Sequence, residues 1–327
     1  MSNDIDIDAL AGELRSPERV RRRAAEDALV GVGAPAVRHV LALAEPVDGN
    51  PGYLGVQPVL ERLGEQAIAP LQRIRRHGPG GLRRAALRAL ADLGGGDVLD
   101  DKDIRAVERL VSVKLTDEEE PDLPIGRWLA VPHAKVEDIV EALGLHDPRP
   151  VTVAMGLAAA VETQNSVEYQ DPEGGTATGY RVFITPEFDG WRLVYGDDFI
   201  NDRWADAVQR LSTRCREAHF YLVDDFDGVR IWWVAQNGHD RRGYSTYGDP
   251  QWIGEPMPFE RSLMSDPDDL FEDSEDYSEG VTDPENVASW ISIPPTAVSV
   301  AERTGHGHLA VTDPRTGHGR FKGALTV

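Results

Sequence analysis

The stretch HFYLVDDFDGVRIWWVAQNGHDRRGYSTYGDP, residues 219–250, indicates the fold of the larger part of this chain. Its runs HFYLV, VRIWWVA and RRGYSTYG are rich in β-branched and aromatic residues, as strands are. The segments DDFDG and NGHD separate these runs, and Asp-Gly and Asn-Gly are strong hairpin signals. The stretch therefore predicts an antiparallel meander of three strands.

The DDFDG segment also bears a partial likeness to a calcium-binding loop. With Gly228 at position 6 of an EF-hand loop, Asp225 and Asp227 would occupy positions 3 and 5. The acidic ligands required at positions 1 and 12 are replaced by Val223 and Val234. Because two ligands are missing, we predict that DDFDG is a hairpin turn.

Further strands and helices are predicted on the N-terminal side of this meander. Residues 181–184 and 191–195 form a second predicted hairpin, joined by TPEFDG. Residues 127–132 are predicted as a strand, and residues 134–145 and 203–215 as amphipathic helices. The expected fold class is α+β, a mainly antiparallel sheet with helices on one face.

The N-terminal third repeats a helical pattern. The three similar windows are residues 21–37, 56–68 and 82–98. In each, Ala or Leu recurs at i, i+3 and i+4, which predicts a narrow apolar helix face that a neighbouring helix can approach closely. In each window a glycine follows the helical run, at Gly33, Gly64 and Gly94, and these glycines are 31 and 30 residues apart. The pattern predicts stacked helix pairs.

The Arg-Ala-Ala triplets at residues 23–25 and 84–86, with these glycines, resemble short HEAT-like repeats of the phycobilisome-lyase type over roughly residues 15–98. The middle window departs from the pattern, because Val59-Leu60 replaces the triplet. The resemblance implies a helical stack with a protein-binding surface. The remainder of the chain resembles a group of uncharacterised bacterial proteins of actinobacterial type, through TPEFDGWRLVYGD and WW…RGY, and this implies no activity.

The division expected from these patterns is a HEAT-like helical domain at 1–115, an acidic linker at 116–126 and an acidic α+β domain at 127–327. The chain carries a formal net charge of −22. Residues 1–97 contain 13 acidic and 13 basic residues, so the whole excess lies in the remainder. Such a chain repels polyanions at long range, and we expect no nucleic-acid partner. DNA recognition by the arginine clusters of the helical part is the competing hypothesis; we expect those arginines to form a solvated helix face.

Several observations bear on location and cofactors. The acidic N-terminus lacks the basic and apolar regions of a signal peptide, and no apolar run approaches the roughly 18 residues that span a bilayer. The single cysteine, Cys215, excludes an intramolecular disulfide and fits a reducing compartment. No P-loop, dinucleotide fingerprint, HExxH or GxSxG motif occurs. We expect a cytoplasmic protein with no membrane partner and no cofactor.

The favoured function is a non-enzymatic module that binds another protein, expected to be basic, as an immunity protein neutralises a toxin. Aromatic and arginine side chains dominate binding hot spots, and residues 266–285 hold ten acidic and no basic residues. The candidate contact residues are Trp191, Trp232, Arg241 and Tyr244 of the strands, and Phe271 and Tyr277 of the acidic run.

The alternative is a metal- or carboxylate-dependent hydrolase in the C-terminal domain. His306, His308, His318 and Asp313 would form a metal site if a hairpin brought them together. Cys215 precedes His219 by four positions, a spacing that a nucleophile and its base can have, although a buried structural thiol is the expected role. The sequence does not predict the oligomeric state.

Overall fold

A computed structural model of the chain describes residues 6–44, 53–118, 122–162, 165–263, 280–323 and 325. The chain divides into two units, one of Met1–Arg109 with Gly319–Leu325 and one of Leu110–His318 with Thr326–Val327. The predicted second domain, residues 127–327, includes Gly319–Leu325, whereas the structure groups this segment with the helical unit. Two long-range hydrogen bonds account for this: Asp97 N–H donates to the Gly319 carbonyl at 3.2 Å, and Gly323 N–H donates to the Ala91 carbonyl at 2.8 Å.

The first unit is helical. Its helices are α1 Ile7–Glu13, α2 Arg19–Val32, α3 Ala36–Leu41, α4 Tyr53–Leu63, α5 Glu65–His77, α6 Gly80–Gly94 and α7 Asp101–Lys114, the last residues of α7 being assigned to the second unit. Their apolar faces share one core, which includes Leu29, Val37, Val40, Leu60, Leu71, Ala86 and Leu90. The alanine at position 86 is completely buried, as a close helix approach requires.

Three glycine turns in this unit share one backbone geometry. Gly33, Gly64 and Gly95 have φ of 76°, 54° and 62° and ψ of −144°, −130° and −149°. Only glycine adopts this region without strain. The third turn glycine is Gly95 and not the predicted Gly94, which is the last residue of α6. The helix–glycine–helix pattern therefore recurs every 31 residues, while the resemblance to HEAT-like repeats stays a prediction.

The second unit is built on a large antiparallel sheet. Its strands are β1 Arg127–Pro132, β2 His146–Val151, β3 Ser166–Gln170, β4 Thr176–Phe188, β5 Trp191–Tyr195, β6 Glu217–Asp224, β7 Val229–Gln236, β8 His239–Ser245, β9 Gln251–Ile253, β10 Arg303–Thr304 and β11 Gly307–Val311. The strand order is β2-β11-β4-β5-β1-β6-β7-β8-β9, and β3 and β10 also pair with β4. The α+β class and the predicted meander, β6-β7-β8, are confirmed.

Helices cover both faces of this sheet, so the expectation of helices on one face is wrong. They are α8 Val136–Leu143, α9 Val153–Leu157, α10 Asp197–Cys215, α11 Pro258–Leu263 and α12 Pro284–Ile291. Consecutive residues of β6 point to opposite faces. Phe220 stacks on Trp204 of α10, with ring centroids 4.7 Å apart. Its neighbour Tyr221 contacts Ser292, which follows α12, at 2.8 Å. Among the described residues, every helix is too short or too polar to span a lipid bilayer.

Candidate protein-interaction surface

The DDFDG segment is the turn of the β6–β7 hairpin, as predicted. The Asp224 carboxylate accepts the backbone N–H groups of Phe226 at 2.9 Å and Asp227 at 3.1 Å, which closes the turn. Gly228 has a φ of 67°, in the left-handed region that favours glycine. The turn conformation thus follows from local hydrogen bonds and one glycine. It directs the side chain of Phe226 into solvent.

Three aromatic side chains are exposed at the end of the sheet where this turn lies. Phe226 is 96% exposed, Tyr247 is 77% exposed and Trp252 is 41% exposed. Tyr247 lies in the β8–β9 connection, and the preceding residue, Thr246, donates its N–H to the Arg230 carbonyl at the start of β7 at 3.0 Å. The two connections therefore lie side by side. We call the surface formed by residues 224–228, Tyr247, Asp249 and Trp252 the acidic-aromatic end.

Four aspartates lie in the same two connections as Phe226 and Tyr247. Asp224, Asp225 and Asp227 belong to the β6–β7 turn, and Asp249 belongs to the β8–β9 connection. Arg230, the second residue of β7, lies with its guanidinium 2.6 Å from Asp225. The other cation at this end, Arg242 next to Trp252, is paired with Glu260, so the four aspartates outweigh Arg230 and make this end anionic. The surface thus offers aromatic and negatively charged groups to a partner.

Two buried side chains pack against the ring of Trp252, although part of that ring is exposed. The Arg242 guanidinium carbon lies 4.4 Å from the ring centroid, and the Tyr244 ring lies 4.5 Å away. Arg242 itself forms a buried ion pair with Glu260 at 2.6 Å. A partner that covers Trp252 would therefore lose little side-chain entropy, because the ring is already ordered.

A small cavity lies beside the β6–β7 turn. Its volume is about 210 Å³, and its walls include Ile125, Val161, Tyr195 and Leu222, with Asp224 at one side. Ile125 is partly exposed within it. The lining also includes Arg127 and Asp225, and the space has room for one protruding side chain of a partner.

Four of the predicted contact residues do not form an exposed patch. Trp232 is completely buried, and its indole N–H donates to the Val281 carbonyl at 2.8 Å. Tyr244 is buried as well, and Trp191 is half-buried with its ring 5.1 Å from that of a buried histidine. Arg241 is half-buried and donates to a backbone carbonyl. The prediction for Trp232 is wrong because helices α11 and α12 cover its face of the sheet.

The remaining two predicted contact residues, Phe271 and Tyr277, lie outside the described residues. Among the described residues, the exposed aromatic side chains that the prediction missed are Phe226, Tyr247 and Trp252 at this end of the sheet, and Trp290 of α12. One signal for Phe226 was available in the sequence: an aromatic residue between aspartates in a predicted hairpin turn has no core to enter. The exposure of Trp252 depends on the sheet edge and has no comparable local signal.

Two of the three histidines of the predicted metal site bind different backbone carbonyls. His308 Nδ1 donates to the His306 carbonyl at 3.1 Å, and His318 Nε2 donates to the Asp147 carbonyl at 2.8 Å. Burial lowers the pKa of both His308 and His318. In the described part of the chain, no group of three His, Cys, Asp or Glu residues has the arrangement to hold a metal ion. The predicted cluster is therefore not assembled.

The fourth member of that predicted site, Asp313, forms a clamp with two other side chains. Arg315 donates from Nε to Asp313 Oδ1 at 3.0 Å and from Nη2 to Oδ2 at 2.7 Å, and the Tyr169 hydroxyl donates to Oδ2. The Arg315 hydrogen bonds hold the pKa of the Asp313 carboxyl well below its usual range. Its oxygens bind protein donors and are not directed at the histidines.

A buried hydrogen-bond chain resembles part of a hydrolase site but lacks its geometry. Glu217 Oε1 lies 2.8 Å from His219 Nε2, the Tyr221 hydroxyl lies 2.9 Å from His219 Nδ1, and Ser292 Oγ lies 2.8 Å from that hydroxyl. Tyr221 thus separates the serine from the imidazole, and His219 is completely buried. Burial also raises the pKa of the Cys215 thiol to about 11, which disfavours a nucleophilic thiolate. These hydrogen bonds satisfy polar groups that are buried in the core.

No protein-family model, curated protein or solved structure matches this chain. The resemblances inferred from sequence, to HEAT-like repeats and to uncharacterised bacterial proteins, therefore stay predictions. Function has to follow from the side chains and their geometry. At the acidic-aromatic end, exposed aromatic side chains and aspartates lie in the same two connections.

Proposed function

We propose that this protein is a non-enzymatic, cytoplasmic binding module that neutralises or regulates a basic protein, as an immunity protein does. The observation that carries the proposal is the almost complete exposure of Phe226 within a turn of aspartates that is closed by hydrogen bonds. The acidic-aromatic end would be the docking surface.

Burial of Phe226 and electrostatic attraction would both favour binding of a partner at this surface. Burying a fully exposed phenylalanine side chain is worth about 1.5–3 kcal/mol, and aromatic residues are enriched among binding hot spots. The hairpin turn already holds the backbone of Phe226, so ordering it on binding costs little. The surrounding aspartates would accelerate association with a basic partner and select its orientation.

The charge of the chain supports a basic partner. The formal net charge is −22, and the excess lies beyond residue 97. Within residues 266–285, ten residues are acidic and none is basic. Phe271 and Tyr277 in that run are proposed as additional contacts. A long-range field of this sign attracts cationic proteins and repels nucleic acid.

The cavity beside the turn adds a specific element to the proposal. A side chain of the partner with an apolar stem would pack against Ile125 and Leu222, and a polar or charged tip would lie near Asp224. The partner would therefore bury Phe226 and insert one of its own side chains beside it. Reciprocal insertion of this kind is typical of hot spots.

The test is affinity capture from lysate of the source cells, followed by calorimetric titration of the recovered protein. We expect a basic protein to bind the wild-type chain and Phe226→Ala to weaken binding tenfold or more. Asp225→Asn with Asp227→Asn should slow association, most strongly at low ionic strength. Val20→Ala is the matched control, since Val20 is an exposed apolar residue of the helical unit.

Phe226→Ala should leave the free energy of unfolding unchanged within about 0.5 kcal/mol, because the side chain is exposed. Recovery of no basic protein, or equal affinity of Phe226→Ala and wild type, would contradict the proposal. Stoichiometric zinc or manganese in the purified protein would instead favour the hydrolase alternative.

A further inference from the structure

A second candidate site is an open groove in the helical unit. It lies where the C-terminal end of α5 faces the beginnings of α6 and α7, and its volume is about 890 Å³. Nine residues line the groove, and every one of them is ionisable: five Arg or Lys, three Asp and one His. A lining without apolar side chains is unlike that of ordinary small-molecule pockets, which are mostly apolar.

Two of the three aspartates are already engaged by the protein. Arg75 Nε donates to Asp103 Oδ1 at 2.7 Å, and this pair is largely buried in the wall of the groove. Asp100 Oδ1 accepts the backbone N–H groups of Lys102 and Asp103, both at 3.0 Å, and so caps α7. The N–H of Asp103 contributes most to a lowered pKa of Asp100.

Asp100 keeps its negative charge, so four cations remain against the carboxylates of Asp100 and Asp101. Arg76 reaches Asp100 only at 3.6 Å, and Arg83 Nε donates to the Gly78 carbonyl at 2.6 Å, which carries no full charge. Across the described ranges, no ion pair within 4.0 Å includes Arg83, Lys102 or Arg105. Four cationic side chains from three helices therefore surround one space.

We propose that this groove binds a compact multivalent anion whose oxygens lie close together, as in clustered phosphate or carboxylate groups. Such a ligand would neutralise the mutual repulsion of these cations. The guanidinium groups of Arg76, Arg83 and Arg105 can each donate in a fork to two such oxygens. Lys102 adds a point charge at the first turn of α7.

Size and chemistry follow from the lining and from the rest of the chain. No Phe, Tyr or Trp lines the groove, so the anionic group itself is recognised and not an aromatic ring. A long nucleic acid would extend beyond the groove into the field of a chain with a formal charge of −22. A compact ligand avoids that repulsion. The proposal is independent of the acidic-aromatic end and of its partner.

The experiment is calorimetric titration of the full chain with tripolyphosphate at low ionic strength, with hexaglutamate peptide and a short DNA duplex as further probes. We expect saturable binding of tripolyphosphate that weakens with added salt. The double variant Arg76→Ala with Arg105→Ala should bind at least tenfold more weakly. The matched control is Arg38→Ala, an exposed arginine of α3.

Far-UV circular dichroism of each variant checks that the helices are retained. Binding of hexaglutamate that the double variant also loses would support the site and identify carboxylates as acceptable anions. The inference is overturned if neither compact probe binds, if the double variant binds as well as wild type, or if the duplex binds more tightly than tripolyphosphate.

Discussion

Removing the cation of one buried ion pair should destabilise the sheet unit strongly. Arg242 and Glu260 are 8% and 4% exposed and form a two-pronged pair, Nε to Oε1 at 3.0 Å and Nη2 to Oε2 at 2.6 Å. Arg242 Nη1 also donates to the carbonyls of Ile253 at 3.1 Å and Gly254 at 2.7 Å. The guanidinium thus joins β8 to the end of β9 and to α11, and it supports the ring of Trp252.

The expected magnitude follows from what each substitution leaves behind. Arg242→Ala leaves the Glu260 carboxylate buried without its cation, which should cost about 3–5 kcal/mol. Arg242→Lys keeps the charge but loses the planar fork, so we expect an intermediate loss of about 1–3 kcal/mol. The double change Arg242→Met with Glu260→Leu removes both charges, and it should be less destabilising than Arg242→Ala alone.

Urea unfolding followed by tryptophan fluorescence measures these losses in the sheet unit, because all seven tryptophans lie within Leu110–His318. The matched control is Arg230→Ala. Its partners are the largely exposed Asp225, Asp283 at 3.9 Å and the Asp224 carbonyl at 3.1 Å, so the loss should be about 1 kcal/mol. Equal losses for Arg242→Ala and Arg230→Ala, or a double variant less stable than Arg242→Ala, would refute the reasoning.

Two further predictions concern backbone strain and acid stability. Gly64→Ala should lower the free energy of unfolding by about 1–3 kcal/mol through backbone strain alone, because the atom nearest to the added Cβ is the Glu61 carbonyl oxygen at 3.7 Å. Gly31→Ala, in α2 with open space around it, should raise the free energy of unfolding by up to about 1 kcal/mol. Urea titration followed by circular dichroism measures both changes, and changes of the same sign would contradict this prediction. Arg315 lowers the folded-state pKa of Asp313, so the Asp313–Arg315 interaction stabilises the fold above about pH 4 and this stabilisation is lost as pH falls through the folded-state pKa. The difference in Tm between wild type and Arg315→Gln should therefore shrink in acid. A difference in Tm that does not depend on pH would contradict this prediction.

The local parts of the fold were predictable because their signals are local. Asp-Gly and Asn-Gly mark the two turns of the meander, and β6, β7 and β8 begin and end within two or three residues of the predicted runs. The same holds for the turn glycines Gly33 and Gly64. Each of these features depends on the conformation of one glycine or asparagine and on hydrogen bonds between close neighbours in the chain.

The candidate surface was only partly predictable. Alternation along β7 implies that Trp232 and Trp233 face opposite sides of the sheet. Which side is covered depends on α11 and α12, whose residues lie about 30–60 positions further along the chain. The sequence pattern therefore predicts an exposed position for Trp232, which is completely buried, and does not single out Phe226 in the adjoining turn, which is exposed.

What the sequence by itself determined is the helical periodicity of the first part, the hairpins of the second and the sign of the charge, since each of these arises from neighbouring residues or from composition. The tertiary structure alone decided that both faces of the sheet are covered, that the segment Gly319–Leu325 belongs with the helices, and that the rings of His308 and His318 bind different backbone carbonyls. Burial and convergence are set by packing between residues far apart in the chain, and no local pattern encodes which distant segments will meet.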